Sequence, residues 1–342
     1  MPPVKKRIQW LDAAKFFGIF AVYVAHLGCF LDSPNTFIFN WIGTVSVALF
    51  FIISGCSENF GKELGFWDYV RKKAGLILIP FFSFGLVSIF IQVLYVKTTL
   101  PEFFSMLLML GMGAVRNHFF AFSLWFLTCL FVMEIIFITL KLLFRNNRWL
   151  MLAASAVIYF FACNYLDLSR PSWFFNADSA LIYMLYYTVG YVSFPFVRKL
   201  FDSKSLVARV SIAISGIASL IFACFVFAGF RPVFEGWFSY GSILPKCYLL
   251  FESLVVTWLY LCFSLLMERF AVFADMGRET LWLCGNEFIV KTLPLMIGIH
   301  LRTDELLPAV LYAIVLVAVA YKLLIPGERR LVEFFGRFLH GA

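Results

Sequence analysis

Residues 206–229 read LVARVSIAISGIASLIFACFVFAG, an apolar run broken only near its start by Arg209. About 20 such residues in helical conformation cross the hydrocarbon core of a bilayer. Nine further stretches of this character lie near 11–31, 37–57, 75–96, 121–143, 149–166, 178–197, 246–267, 280–301 and 306–325. The piece 100–114 is shorter and reads as an interfacial or re-entrant segment. Of the 342 residues, 62% are hydrophobic, 20% aromatic and 14% charged, and the mean hydropathy is +0.90. Soluble domains are about 45–50% apolar and about 25% charged, so a water-soluble globule is excluded, and so is disorder. The 44 Phe residues, spread along the whole length, suit lipid-facing helices. No internal repeat, low-complexity linker or gap of soluble-domain size interrupts the pattern. The sequence therefore predicts an all-α, polytopic bundle of about ten spans, one membrane domain over residues 1–342.

Charge placement sets an orientation for those spans. With the N-terminus inside, the outer segments carry only Lys97, Arg116, Arg170, Arg231, Lys246 and Arg302. Lys15 and Lys291 fall within spans, and the rest of the 28 Lys and Arg lie on the inner side. This bias follows the positive-inside rule with both termini cytoplasmic, as in a multi-pass protein of a bacterial inner (plasma) membrane. It also accounts for the net charge of +8 and the pI near 9.1 without a nucleic-acid partner. The start, basic and then apolar, has the look of a signal peptide. Lys15 and His26 interrupt it and no A-x-A-like site follows, so it reads as a retained first helix. Cysteines 29, 56, 129, 163, 224, 247, 262 and 284 form no CxxC and lie mostly in apolar runs, which argues against disulfides and against a metal site.

Ionisable residues inside spans are costly and mark either function or polar helix–helix contacts. Here they are Lys15, His26, Glu134, Glu252, Glu287 and Lys291, with Asp12 at the inner edge. Lys15 and His26 are eleven residues apart, so they share one helix face about 16 Å apart along the axis. Asp12 is placed to pair with Lys15, and Tyr23 sits one turn before His26. A polar stripe thus runs along the first helix; a satisfied core histidine with a snorkelling lysine is the competing reading. Glu287 and Lys291 have the i, i+4 spacing of an intrahelical ion pair. Glu134 and Glu252 have no local partner and must be protonated, paired across helices or open to a watery cavity. The cluster Arg71-Lys72-Lys73 before the third span either anchors to anionic lipid or holds the phosphates of a cytosolic ligand.

Four motifs together resemble the acyltransferase 3 family of integral membrane acyltransferases. Trp10-Leu-Asp12-Ala-Ala-Lys15 followed by His26 is similar to that family's opening signature. Phe50-Phe51-Ile-Ile-Ser54-Gly55 is similar to its FFxxSG run, and Arg71-Lys72-Lys73 with Pro80 to its basic entry into the third helix. Leu124-Trp125-Phe126-Leu127-Thr-Cys-Leu130-Phe131 is similar to its LWFLxxLF. One departure is that Glu287 stands where the family commonly has His.

The resemblance implies transfer of an acyl group, usually acetyl, from cytosolic acyl-CoA to a carbohydrate hydroxyl, with no tightly bound cofactor. The acceptor implied by analogy is a cell-surface polysaccharide or its lipid-linked precursor. His26 is then the candidate base or transient acyl carrier, because imidazole is the usual base near neutral pH. Lys15 would stabilise the tetrahedral intermediate or hold the coenzyme, its inner location favouring the second, and Arg71, Lys72 and Lys73 would bind the coenzyme phosphates. A transporter or flippase for a glycolipid or small solute is the rival, using the same buried charges without covalent chemistry. A structural scaffold, in which Lys15 and His26 are replaceable, is the third reading.

Overall fold

Each of the ten apolar stretches contains a helix. The computed structural model describes residues 7–30, 36–61, 63–167, 170–230, 243–298 and 305–330. Among them are α1 (Gln9–Phe30), α2 (Thr36–Glu58), α3 (Phe66–Tyr95), α4 (Leu100–Gly111), α5 (Trp125–Leu143) and α6 (Arg148–Tyr165). The chain continues with α7 (Ala177–Phe201), α8 (Leu206–Ala228), α9 (Ile243–Met267), α10 (Ala271–Arg278), α11 (Thr280–Met296) and α12 (Leu306–Arg330). No strand occurs among the described residues, so the all-α expectation holds.

Among the described residues, eight helices are long and apolar enough to cross a membrane: α1, α2, α3, α5, α7, α8, α9 and α12. The other two expected crossings fall short for physical reasons. α11 has 17 residues and carries Asn286, Glu287 and Lys291; α6 has 18 but begins at Arg148 and ends on Asn164-Tyr165. Segment 100–114 forms the short α4, started by Pro101 and a reciprocal cap in which Glu102 accepts from the Thr99 backbone N–H at 2.7 Å. Both extreme termini, whose cytoplasmic placement the charge bias predicts, lie outside the described residues, as do Lys62, Arg231, Arg302 and the side chains of Cys29 and Lys246.

Large apolar side chains remain exposed along whole helix faces, such as Ile79, Leu86, Phe90 and Leu94 on α3 and Ile214, Ile217, Leu220 and Phe225 on α8. Such faces have no place in water and suit hydrocarbon. Within α3 the turn Ala74–Leu78 widens to i→i+5 hydrogen bonding just before Pro80. A proline lacks an N–H and crowds the carbonyl four residues back, so the wider turn absorbs it.

At the centre, α1 packs against α2, α9, α10, α11 and α12, while α2 lies along α7. Small residues set these approaches. A Cβ on Gly55 would strike the backbone of Tyr187, and one on Gly190 would strike that of Ile52, so α2 and α7 cross glycine against backbone. Gly277 likewise seats α10 on the Asp12 backbone of α1. Gly55 of the FFIISG run is therefore a packing residue. Gly55→Val is expected to lower stability by at least about 1–3 kcal/mol through overpacking. Thermal unfolding in detergent checks this; an unchanged midpoint would mean that the crossing is loose.

Candidate active site

His26 lies in the outer third of α1 by the charge-bias orientation, and α11 brings Glu287 to it from 261 residues away. His26 Nδ1 and Glu287 Oε1 are 2.8 Å apart. A carboxylate only accepts, so Nδ1 is the donor and the neutral ring keeps its lone pair on Nε2. Glu287 Oε1 is also paired with Lys291 Nζ one turn along α11. Side-chain exposure is 2% for Glu287 and 1% for Lys291 but 22% for His26, so the ion pair is buried and the imidazole reaches open space. Tyr23 locks this face: its hydroxyl donates to Leu283 O at 2.8 Å, and Lys291 Nζ lies 5.7 Å from its ring centre.

That open space is a cavity of about 250 Å³. His26, Arg116, Asn117, Ser123, Asn40 and Thr44 supply its polar wall, and Trp125, Phe122, Phe126, Phe50 and Tyr183 supply aromatic faces. Ser123 Oγ donates to Cys284 O at 2.9 Å, tying the lining of α11 to the loop before α5. Trp125, singled out by the LWFL motif, thus belongs to the same cavity as His26.

Around the inner end of α1 lies a second hollow of about 270 Å³, lined by Arg7, Asp12, Lys15, Ser57 and Arg278 over Ile8, Leu11 and Phe60. Lys15 Nζ pairs with Asp12 Oδ1 at 2.9 Å. Lys15 and His26 therefore face different cavities on one helix. The basic cluster divides too. Arg71 and Lys72 are exposed, whereas Lys73 Nζ is held by Glu134 Oε1 at 2.7 Å and Glu58 Oε2 at 3.5 Å. Glu134 is thus paired across helices, and Glu252 accepts from the Trp41 indole N–H. Ser54 is partly buried on α2, beside the Gly55 crossing.

An imidazole tied to a carboxylate at the wall of a cavity is an arrangement that can activate a hydroxyl. The model of the acyltransferase 3 family, an acyltransferase domain, matches residues 8–324. The chain belongs to that family. Among curated proteins and solved structures, nothing matches it. As a member of the acyltransferase 3 family it is a multi-pass membrane acyltransferase, with an acyl donor and an acceptor to accommodate.

In this acyltransferase the sequence left several cavity residues unread. Arg116 figured there only as an outer charge, and Asn40, Thr44 and Ser123 carry no local signature. Asn176 was equally silent. Buried and left-handed (φ 55°), it donates to Gly113 O and Thr128 Oγ1, both at 2.9 Å, and accepts from Arg116 N at 2.8 Å. Gly113 (φ +97°) sits against the backbone of Phe175, where a Cβ would collide. Loop 112–124 is thereby fixed over the cavity.

Proposed function

We propose that this chain transfers an acetyl group from acetyl-CoA to a hydroxyl of a cell-surface polysaccharide or its lipid-linked precursor, within a bacterial inner membrane. The observation that carries this reading is the Glu287–His26 contact at the wall of an aromatic-lined cavity, in a chain of the acyltransferase 3 family. His26 Nε2 takes the proton of the acceptor hydroxyl as its oxygen attacks the thioester carbonyl. The tetrahedral intermediate then collapses, the C–S bond breaks, and the imidazolium returns the proton to the departing thiolate. Glu287 stabilises the imidazolium formed on the way, and Lys291 pairs with Glu287 in its buried position. A transient acyl-imidazole would use the same Nε2.

The hollow at Lys15 suits the coenzyme end of the donor, with Arg7, Lys15, Arg278 and Ser57 as phosphate partners. Arg71 and Lys72, exposed on α3, add positive charge on the inner side by the charge-bias orientation, while Lys73 pairs with the Glu58 and Glu134 carboxylates. The pantetheine arm would run along α1 towards His26. Lys15→Gln is expected to raise KM for acetyl-CoA about tenfold, the loss of one charge-assisted contact, with a smaller change in kcat. Steady-state kinetics at varied acetyl-CoA checks this. A fall in kcat with KM unchanged would move Lys15 into the chemical step.

The reading as a whole is tested with purified protein in nanodiscs, given acetyl-CoA and a bacterial glycan extract. Acceptor-dependent release of free thiol with transfer of labelled acetyl is expected. Absence of thiol release with every acceptor of a broad set would favour the glycolipid flippase or solute transporter.

A further inference from the structure

Arg116 carries the one permanent charge among the described residues lining the His26 cavity. Its position is built with care. Its backbone N–H is held by buried Asn176, which also grips Gly113 and Thr128, so the loop cannot swing the residue away. Left-handed backbone at Ala114 (φ 48°), Asn117 (φ 68°) and Phe175 (φ 54°) surrounds it, conformations that cost non-glycine residues energy and persist only where neighbours enforce them. The guanidinium lies 5.4 Å from the Trp125 ring centre, an attraction that steers it along the cavity wall.

We propose that Arg116 makes the acceptor site selective for a glycan bearing an anionic group, a carboxylate or a phosphate, close to the hydroxyl that is acylated. This deepens the acyl-transfer reading and rests on it for the identity of the acceptor. The proton transfer itself is served by His26, Glu287 and Lys291, so Arg116 is not part of the base. An anion entering a site walled by Phe50, Phe122 and Phe126 loses hydration and must be paired there. A guanidinium offers two N–H edges, so a protein contact on one edge leaves a fork for a bidentate anion on the other. The aromatic faces of Trp125 and Tyr183 then cover the C–H side of the sugar ring, and Asn40, Thr44 and Asn117 offer hydrogen bonds to its hydroxyls.

Two matched pairs of acceptors separate the possibilities: a uronic-acid oligosaccharide with its carboxyl-reduced form, and a sugar-phosphate oligosaccharide with its dephosphorylated form. Binding, followed by tryptophan fluorescence, and acetyl transfer are measured separately in nanodiscs. The native chain is expected to favour the charged member of at least one pair by roughly tenfold or more, the worth of a charge-assisted bidentate contact. The pair that shows the effect identifies carboxylate or phosphate. Arg116→Gln is expected to bring that ratio near one, and Arg116→Lys, a point charge without the fork, to an intermediate value. Should Arg116→Gln fail to fold, the native ratio and the Arg116→Lys value decide. Equal preference by the native chain in both pairs overturns the proposal, as does a ratio that survives Arg116→Gln. Selective binding without any transfer keeps Arg116 as the selector and removes acyl transfer, so the two failures are distinct.

Discussion

His26→Ala is expected to lower acceptor-dependent thiol release by about 10²–10⁴-fold, the range that a positioned general base contributes. The effect should fall on kcat, because in the proposed mechanism the imidazole meets the reacting hydroxyl and contributes little to donor binding. Folding should survive, since the ring is only partly enclosed and its loss leaves the buried Glu287–Lys291 pair intact. Kinetics on detergent-purified variant, with thermal unfolding alongside, provides the check. Release equal to that of the native chain would discard His26 as the base while leaving the enzyme in place.

The second large effect is expected at Glu287, and it has two parts that separate. Glu287→Gln breaks the buried Glu287–Lys291 ion pair from one side, which costs about 3–5 kcal/mol. It also removes the negative charge that stabilises the His26 imidazolium, so activity should fall by about 10²-fold or more. Adding Lys291→Met removes the other half of the pair, and stability should return close to native. Activity should not return with it. Unfolding midpoints and thiol release for the single and double variants read the two parts independently. A double variant that regains both would make Glu287 a piece of helix–helix glue.

Local patterns in the sequence carried the helices and the helix-internal pairs, because both are written in spacings of three, four and eleven residues. Asp12–Lys15 and Glu287–Lys291 were visible for that reason, and they form as ion pairs. Contacts between helices have no such signature. Nothing in the chain around Glu287 shows that α11 meets α1 at His26, nor that Glu134 finds Lys73. The family's usual His at position 287 pointed to a departure; the geometry shows the carboxylate where it orients the imidazole of α1. Arg116 was legible only as a charge in a short connection, since its meaning depends on Asn176, sixty residues on, which fixes its loop. Hydropathy reads the average of a segment, so it assigned crossings to α6 and α11, whose polar ends and site residues leave them below the length and apolarity of the other eight.

The two hollows at either end of α1 make that helix a gauge. Lys15 and His26 stay on one side of it only because eleven residues come within about 20° of three whole turns. One residue inserted between them would swing the imidazole about 100° away from Glu287, and one deleted would swing it equally far the other way. The smallest changes that come near to preserving the phase are of three or four residues, and each shifts the two ends by about 5 Å. The reach required of any donor that enters beside Lys15 is therefore fixed by the count of residues in a single helix, whatever the loops around it become.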